Sequence, residues 1–311
     1  MGTMERSRVA LVGCGRWGRL IARDLTDLGA LVTVVDPSDA AGAFASATGL
    51  DQLASTVGLA GLDLDGAVVA TPASTHATTL FDLADLGVPV FCEKPLTVDV
   101  GEAEQVVDLY GDRLHVMHVW RYHRGVELLG ELARSGELGA VQGVRTTRTN
   151  WTSPRTDVDS IWTLVPHDLT IGIEVLGTIP PPRAALAEMI DGRAVSLWAH
   201  LGGGGEPWLV VEASTRSAER RREVRVHGSL ATATLADDGS NTVVIAAGSE
   251  LDPRLRSISF DPDPPLRREL AAWLDFITGG DPPKSDGAEG LEVVRHIAQL
   301  RTLAGLDPFS S

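Results

Sequence analysis

The stretch GCGRWG at residues 13–18 follows an apolar run, VALV at 9–12, and precedes a segment with helical spacing at 19–25. A GxGxxG spacing between a strand and a helix is the arrangement that a dinucleotide-binding turn requires. Gly13 permits the tight turn, Gly15 lets the backbone approach a pyrophosphate, and Gly18 allows the helix and strand to pack closely. The N–H groups and positive dipole end of the helix then favour phosphate binding. We therefore expect a Rossmann unit with a bound dinucleotide.

The acidic residue Asp36 ends a second apolar run, LVTVV, eighteen residues after Gly18. A carboxylate at that place would bind the adenosine ribose hydroxyls. It would also repel a 2′-phosphate, and residues 37–40 supply no cation to neutralise one. The sequence therefore predicts that NAD(H) is preferred. NADP(H) is not excluded, because Arg16 or Arg23 could fold back toward the phosphate.

Length and composition limit the class of protein. With 311 residues and 43% hydrophobic content, two globular domains are expected. The net charge of −15 disfavours nucleic acid and anionic membranes as partners, since both need a basic face. No apolar stretch is as long as a membrane span, and residues 1–6 run into the first strand without a signal-peptide core. The two cysteines, Cys14 and Cys92, are too few for a disulfide framework, so a cytoplasmic location is expected, and no metal site is predicted.

Strand and helix patterns alternate in the first third of the chain, which predicts a parallel sheet with helices on both faces. The predicted strands there are 8–12, 31–35, 50–53, 67–70, 89–92 and 114–118, and the predicted helices are 16–28, 38–48, 75–86, 99–111 and 123–135. After Gly139, strand patterns follow one another with few helices between them, which predicts a largely antiparallel sheet. Those strands are 141–150, 183–190, 194–201, 208–215, 223–227, 231–235 and 242–246. Helices at 265–278 and 287–304 follow, and four glycines at 202–205 are expected to form a flexible hairpin tip.

Lysine is scarce in this chain, since only Lys94 and Lys284 of the 27 basic residues are lysines. An amine can exchange a proton near neutral pH when its pKa is lowered, whereas a guanidinium cannot. Lys94 follows a predicted strand and thus lies at the sheet's carboxyl edge, where open α/β sheets bind ligands. The preceding strand ends similarly, in Thr71 and Pro72. The alternatives are a surface salt bridge between Glu93 and Lys94, and a helix N-cap formed by Ser74 or Thr75.

The motifs GCGRWG, TPASTH at 71–76 and CEKP at 92–95 together resemble the Gfo/Idh/MocA oxidoreductases. The resemblance continues through 116–123, 135–139 and 285–294. It implies a Rossmann domain at 1–120 and a substrate-binding and oligomerisation α/β domain at 121–311 with a large open, mainly antiparallel sheet. It further implies hydride transfer at a secondary alcohol or ketone of a sugar, nucleotide sugar or cyclitol, in a homodimer or homotetramer formed through that sheet. The cofactor contacts expected on this basis are Gly13, Gly15, Arg16, Trp17, Gly18, Asp36, Thr71, Pro72, Ser74, His76, Glu93 and Lys94.

Residues 150–169 resemble more closely the branch of nucleotide-sugar 3-dehydrogenases and deoxysugar ketoreductases. His167 matches that branch's catalytic histidine, but Thr163 occupies the place of the aspartate four residues earlier. Threonine can donate or accept a hydrogen bond but cannot ionise. Two acids could replace the missing carboxylate. Asp159 lies one helical turn before Thr163, and Asp168 follows His167 directly but points about 100° away from it around a helix.

The resemblance implies that Lys94 acts as the general acid/base, while His167 transfers a second proton or holds a substrate hydroxyl. Thr163 completes the expected catalytic group. Arg121, Tyr122, Arg155 and Asp157 are candidate substrate contacts, and the fork of Arg155 suits an anionic group such as a diphosphate. The alternatives are a structural histidine beside Pro166, an NAD-dependent glycosidase whose cofactor is not consumed, and a non-catalytic, cofactor-binding regulator.

Overall fold

The computed structural model describes residues 6–151, 157–249 and 251–309. The chain divides into two compact units, one formed by Met1–Met117 with Leu266–Val294 and the other by His118–Pro265 with Arg295–Ser311. This division differs from the expected boundaries, 1–120 and 121–311, because a C-terminal helical segment groups with the first unit. The physical reason is apolar packing: Trp273 is fully buried and stacks on Phe91, with ring centroids 5.7 Å apart.

A six-stranded parallel sheet forms the centre of the first unit. Its strands are β1 (Arg8–Val12), β2 (Leu31–Val35), β3 (Asp51–Leu53), β4 (Gly66–Val69), β5 (Val90–Glu93) and β6 (Leu114–Met117). They are arranged in the order β3-β2-β1-β4-β5-β6. Strands β4, β5 and β6 are buried along their whole length, as is typical of parallel strands covered on both faces.

The helices of the first unit alternate with these strands. They are α1 (Arg16–Asp27), α2 (Asp39–Thr48), α3 (His76–Leu83) and α4 (Val100–Tyr110), with α7 (Pro265–Ile277) near the end of the chain. Side chains fix where two of them begin: Ser38 accepts a hydrogen bond from the N–H of Ala41, and Asp99 accepts one from the N–H of Glu102. The alternating pattern in the sequence is thereby confirmed as a Rossmann-type parallel sheet.

The second unit is built on an eight-stranded sheet. Its strands are β7 (Val141–Thr149), β8 (Pro182–Ile190), β9 (Arg193–Gly203), β10 (Glu206–Ser214), β11 (Arg221–Gly228), β12 (Ala231–Leu235), β13 (Thr242–Ser249) and β14 (Asp252–Ser259). They follow the order β14-β13-β12-β11-β7-β10-β9-β8. Neighbouring strands are antiparallel apart from the parallel pair β7 and β10, which confirms the predicted mainly antiparallel sheet.

The edge strand β14 is missing from the predicted elements. Nearly all of its side chains are exposed, so its sequence carries no alternation between apolar and polar residues. Charged residues such as Arg254 and Arg256 are typical of an unpaired sheet edge, where they hinder pairing with other chains. The four glycines at 202–205 end β9 and lead into β10, and all four have positive φ.

Helices cover one face of this sheet and complete the second unit. They are α5 (Arg124–Ser135) and α6 (Ser160–Leu176), and α8 (Gly287–Leu303) has residues in both units. Helix α6 is buried over most of its surface, because apolar residues occur on nearly every side of it. Within the described residues, no helix combines the length and the apolar character needed to cross a membrane.

Candidate active site

The GCGRWG turn joins β1 to α1 at the carboxyl edge of the parallel sheet. Gly13 has a φ of +95°, and a Cβ there would lie 2.7 Å from the backbone of Ala70. At Gly18 a Cβ would lie 2.2 Å from the carbonyl oxygen of Gly13. A Cβ at Gly15, in contrast, would meet no described atom within 4 Å. The backbone therefore requires two of the glycines for its own packing and presents the third to open space at the N-terminus of α1, which fits the approach of a pyrophosphate.

Asp36 lies beside this turn, at the end of β2. One carboxylate oxygen accepts the N–H of Cys14 at 2.8 Å, and the other accepts the N–H and the hydroxyl of Ser38 at 2.9 and 2.6 Å. Burial alone would raise the pKa of Asp36, but the hydrogen bonds from Ser38 and Cys14 outweigh it and lower the pKa below its ordinary value. The carboxylate is therefore charged at neutral pH and held next to the glycine turn.

A guanidinium that the sequence pattern does not single out, that of Arg19, is close to Asp36. It donates to the carbonyl oxygens of Ala40 at 2.9 Å and Cys14 at 3.3 Å, and its charge contributes to the lowered pKa of Asp36. The two arginines expected to reach this region are placed differently. Arg16 is exposed at the start of α1, and Arg23 pairs with Asp24 at 2.9 Å. Only the tertiary structure shows which arginine on this helix faces the acid.

Glu93 connects the glycine turn to the lysine of the CEKP motif. One of its carboxylate oxygens accepts the indole N–H of Trp17, and the other accepts the backbone N–H of Lys94 at 3.0 Å. Glu93 and Lys94 are only 4% and 6% exposed. Because both residues are buried, they do not form the surface salt bridge that was the alternative interpretation. The hydrogen bonds of Glu93 connect the turn that carries Lys94 to the GCGRWG segment.

His76 connects the two turns that follow β4 and β5. Its ring nitrogens lie 2.7 Å from the carbonyl oxygen of Pro95 and 3.0 Å from that of Thr71, and the side chain is fully buried. A carbonyl oxygen only accepts hydrogen bonds, and a neutral imidazole carries one N–H, so the tautomer decides which of the two contacts is a hydrogen bond donated by the ring. The structure thus places His76 against the turns that carry Thr71 and Lys94, and its contact with the cofactor stays a prediction.

Pro72 and Ser74 are exposed beside the half-buried Thr71 at the same edge of the sheet. In the described structure neither Ser74 nor Thr75 caps α3 with its side chain; the Thr75 hydroxyl instead donates to the carbonyl of Pro72 at 2.8 Å. The capping alternative for this motif is therefore not what the structure shows. Thr71, Pro72 and Ser74 remain predicted cofactor contacts.

Thr163 and His167 form a half-exposed pair on α6. Every other residue of α6 between Ser160 and Gly172 is buried, so this pair is the accessible part of that stretch. Residues four apart lie on the same side of a helix, one above the other. The Thr163 hydroxyl also donates to the carbonyl of Asp159 at 2.9 Å. The structure thus presents the predicted pair on one helical face.

Both carboxylates that could replace the missing aspartate are bound elsewhere in the second unit. Asp159 caps α6 by accepting the N–H groups of Ile161 and Trp162, and Arg301 donates to it at 2.5 Å. Asp168 is fully buried, and the Nε of Arg148 lies 3.2 Å from each of its oxygens. Both acids are thus engaged in other bonds, and the replacement of the family's aspartate by Thr163 stays a prediction.

The four candidate substrate contacts have different surroundings. Arg121 is half-buried and pairs with Glu174 of α6 at 3.3 Å, while Tyr122 is buried in the same turn. Asp157 is half-buried just before α6. Arg155 lies outside the described residues. The ion pair of Arg121 shows that this side chain also stabilises the packing of the second unit.

Comparisons with known proteins identify the class to which this fold and site belong. Residues 7–120 match the oxidoreductase family with an NAD-binding Rossmann fold, Gfo/Idh/MocA. The chain is similar to a UDP-N-acetylglucosamine 3-dehydrogenase of Acidithiobacillus ferrooxidans, with 25% identity over 308 residues, covering 96% of this chain and 97% of the relative. A D-xylose 1-dehydrogenase (NADP(+)) 2 of Haloferax volcanii is 29% identical over 257 residues, 77% of this chain and 78% of the relative. A structure of levoglucosan dehydrogenase in complex with NADH and levoglucosan shares the fold, with a TM-score of 0.85, 15% identity, and coverage of 97% and 98%.

The fold, the glycine turn and these matches define an oxidoreductase with an NAD-binding domain. Residues 7–120 match the Gfo/Idh/MocA oxidoreductase family, and over nearly its whole length the chain is similar to the UDP-N-acetylglucosamine 3-dehydrogenase. The family, the α/β fold and the enzyme class predicted from the sequence are thereby confirmed. The names of the relatives also agree with the predicted chemistry, since they are dehydrogenases of a nucleotide sugar and of a sugar.

Proposed function

We propose that this protein is an NAD(H)-dependent dehydrogenase or reductase of a nucleotide sugar, acting at a secondary alcohol or ketone of the sugar ring. The observation that carries this proposal is the placement of Lys94. This amine is buried in a turn whose preceding residue, Glu93, bonds to Trp17 of the glycine turn. The residues for proton exchange and for pyrophosphate binding are thus held together in one unit.

The residues of the first unit fit a nicotinamide dinucleotide, which supplies the hydride acceptor or donor when bound. The open side of Gly15 and the N–H groups of α1 would hold the diphosphate. Asp36 would accept a hydrogen bond from a ribose hydroxyl, because the carboxylate oxygen that accepts the N–H of Cys14 has a second lone pair. We propose a preference for NAD(H), since Asp36 is charged and repels a 2′-phosphate. The positive charge of Arg19 weakens that repulsion, so NADP(H) is proposed as a cofactor that binds more weakly than NAD(H).

In the oxidative direction, Lys94 would accept the hydroxyl proton of the substrate as the adjacent C–H hydrogen leaves as hydride. The reverse reaction returns the proton from the lysine to the carbonyl oxygen. His167 and Thr163 would hold substrate hydroxyls from α6. A threonine in place of an aspartate leaves this pair without a carboxylate, so we propose that orientation of the substrate, more than charge stabilisation, is its contribution.

Nicotinamide absorbance tests the proposal directly. The purified protein is incubated with NAD⁺ and, in separate reactions, with UDP-N-acetylglucosamine, free N-acetylglucosamine, xylose and myo-inositol. The expected result is reduction of NAD⁺ with the nucleotide sugar and little with the neutral compounds. Release of a sugar without a net absorbance change would indicate the glycosidase alternative. Cofactor binding without turnover of any sugar would indicate the alternative of a non-catalytic, cofactor-binding regulator.

We further propose that a second copy of the chain covers the open face of the eight-stranded sheet. Leu186 and Trp198 are 67% and 41% exposed on that face, beside a hollow of about 580 Å³ that Trp208 and Val210 help to line. Contiguous exposed apolar surface of this kind marks an interaction site. Trp198→Glu should shift the protein to monomer in light scattering after size exclusion, whereas Val57→Glu, an exposed position of the first unit, should leave the oligomer intact.

The cytoplasmic location expected from the sequence stays a proposal. Cys14 and Cys92 are both buried free thiols. Burial raises the pKa of each thiol, so both are protonated and poorly reactive at neutral pH. Reduced cysteines of this kind are compatible with a reducing compartment.

A further inference from the structure

Three arginines lie close together at one end of β7 and β11, and we refer to Arg148, Arg220 and Arg222 as the arginine cluster. Arg148 and Arg222 are directly opposite each other in the antiparallel pairing of the two strands. Opposite residues of an antiparallel pair extend from the same face of the sheet, where like charges destabilise the pairing. The arrangement therefore needs compensating negative charge.

Carboxylates neutralise two members of the cluster. Arg148 pairs with the buried Asp168, and its guanidinium lies 4.2 Å from the ring centroid of Trp120. Arg220 donates to Asp238 at 2.6 Å and to Asp237 at 3.3 Å. Burial would raise the pKa of Asp238, but the hydrogen bonds with Arg220 and Asp237 and the positive charges of Arg220 and Arg222 together outweigh it and lower the pKa to about 2. These two arginines are thus satisfied within the protein.

Arg222 has a different set of partners. Its Nη1 donates to the carbonyl oxygens of Thr149 and Arg221, both at 2.7 Å, and its Nη2 donates to the side-chain oxygen of Asn150 at 2.9 Å. All three acceptors are neutral, and among the described residues no carboxylate forms an ion pair with it. Three of the five N–H groups are used, which leaves Nε–H and one Nη2–H. Those nitrogens lie on one edge of the fork, the geometry that binds an oxyanion through two hydrogen bonds.

The charge of Arg222 is costly in this position. Burial, followed by the positive charges of Arg148 and Arg220, lowers the pKa of Arg222 to about 10. The guanidinium still carries its charge at neutral pH. The nearby carboxylates Asp238 and Asp168 partly offset this lowering of the pKa through their charges, but they are bonded to Arg220 and Arg148, and among the described residues neither forms an ion pair with Arg222. A cation kept half-buried and orientated without one is typical of a site where the ligand supplies the negative charge.

We propose that Arg222 binds an anionic group of the substrate, a phosphate of a nucleotide sugar. This inference rests on the proposed function and adds a specificity residue on the second unit. The three neutral acceptors hold the guanidinium in one orientation, so little side-chain entropy is lost when the ligand binds. A sugar carboxylate offers the same oxyanion chemistry and is the other source of such a group.

Calorimetric titration of the full-length protein with UDP tests the inference without any need for turnover. The variants are Arg222→Gln, Arg222→Lys and a control, Arg221→Gln. Arg221 is adjacent in sequence, pairs with Glu223 at 3.1 Å, and extends from the opposite face of the strand, so the control removes the same charge elsewhere. We expect wild type and the control to bind UDP within twofold of each other. Arg222→Gln should weaken binding at least about tenfold, and Arg222→Lys, which keeps the charge but not the fork, by a smaller factor.

Several outcomes decide between these possibilities. Equal UDP affinity in Arg222→Gln and Arg221→Gln, or a wild type that binds neither UDP nor glucuronate, would overturn the inference. Binding of glucuronate but not UDP, lost in Arg222→Gln, would keep the oxyanion site and assign it to a sugar carboxylate. If Arg222→Gln does not fold, the ratio between Arg222→Lys and wild type decides, with unchanged affinity counting against the site. Failure of the proposed function would appear separately, as UDP binding without reduction of NAD⁺.

Discussion

The three glycines of the GCGRWG turn allow a prediction that separates folding from cofactor binding. At Gly15 the backbone has φ −68° and ψ −166°, which alanine adopts without strain, and its Cβ would meet no described atom within 4 Å. Gly15→Ala should therefore keep or raise the free energy of unfolding, by about 0.4–1 kcal/mol, because alanine has fewer unfolded conformations. The methyl group would, however, stand where the pyrophosphate approaches the backbone.

Gly18→Ala is the matched variant in which the same methyl group affects packing. Its Cβ would lie 2.2 Å from the backbone oxygen of Gly13, a contact that only movement of the turn or of α1 can relieve. Overpacking of this kind costs about 1–3 kcal/mol. The two variants should therefore differ in unfolding free energy by about 1.5–4 kcal/mol, with Gly15→Ala the more stable.

Denaturant unfolding followed by tryptophan fluorescence, together with calorimetric titration of NAD⁺, measures both effects. Gly15→Ala should fold like wild type and bind NAD⁺ at least about tenfold more weakly, which corresponds to about 1.4 kcal/mol of binding free energy. Gly18→Ala should lose stability before any ligand is added. A stable Gly15→Ala protein with wild-type affinity for NAD⁺ would refute the assignment of this turn to the pyrophosphate.

Three further predictions concern the cofactor and the reacting groups. Lys94→Arg should lower kcat by about 10²–10⁴ while NAD⁺ affinity is kept, because a guanidinium does not exchange protons near neutral pH; near-native turnover in a steady-state assay would assign the proton to His167. NAD(H) should bind at least about tenfold tighter than NADP(H), and Asp36→Ala should narrow the ratio measured by calorimetry. Hydrogen bonds keep the pKa of Asp36 below its ordinary value, so its charge is present above about pH 4 and lost only as the pH falls through the lowered pKa. Asp36 should thus stay charged at both pH 8 and about pH 5, so a change in the ratio between these pH values would come from the 2′-phosphate, which loses a proton near about pH 6. A native preference for NADP(H) would contradict the prediction and point to Arg19. Thr163→Asp should not raise turnover of the native substrate, since a new carboxylate would favour the imidazolium form of His167; a clear gain across the pH range would show that Thr163 marks a weakened site.

The sequence by itself determined the order of the elements and the chemistry of the first unit. Strands that are buried on both faces need continuous apolar runs, and a tight turn that approaches phosphate needs glycines at fixed spacing, so both leave a local signature. For that reason GCGRWG, Asp36 and the CEKP lysine were all found from the residues and motifs alone. The pair Thr163 and His167 came from the resemblance to the nucleotide-sugar dehydrogenase branch, and a spacing of four residues explains why both side chains share one face of α6.

Only the tertiary structure decided which partner each charged side chain takes. Arg16, Arg19 and Arg23 lie on one helix, yet only Arg19 faces Asp36, because the path of β2 and α2 determines which side of α1 meets the acid. The sequence left Asp159 and Asp168 as equal alternatives for the missing carboxylate, and the structure pairs them with Arg301 and Arg148, 142 and 20 residues away. The register between β7 and β11 sets Arg222 opposite Arg148. Such pairings join residues that are distant in the chain, and their free energies depend on burial and on neighbouring charges, which no local pattern of residues records.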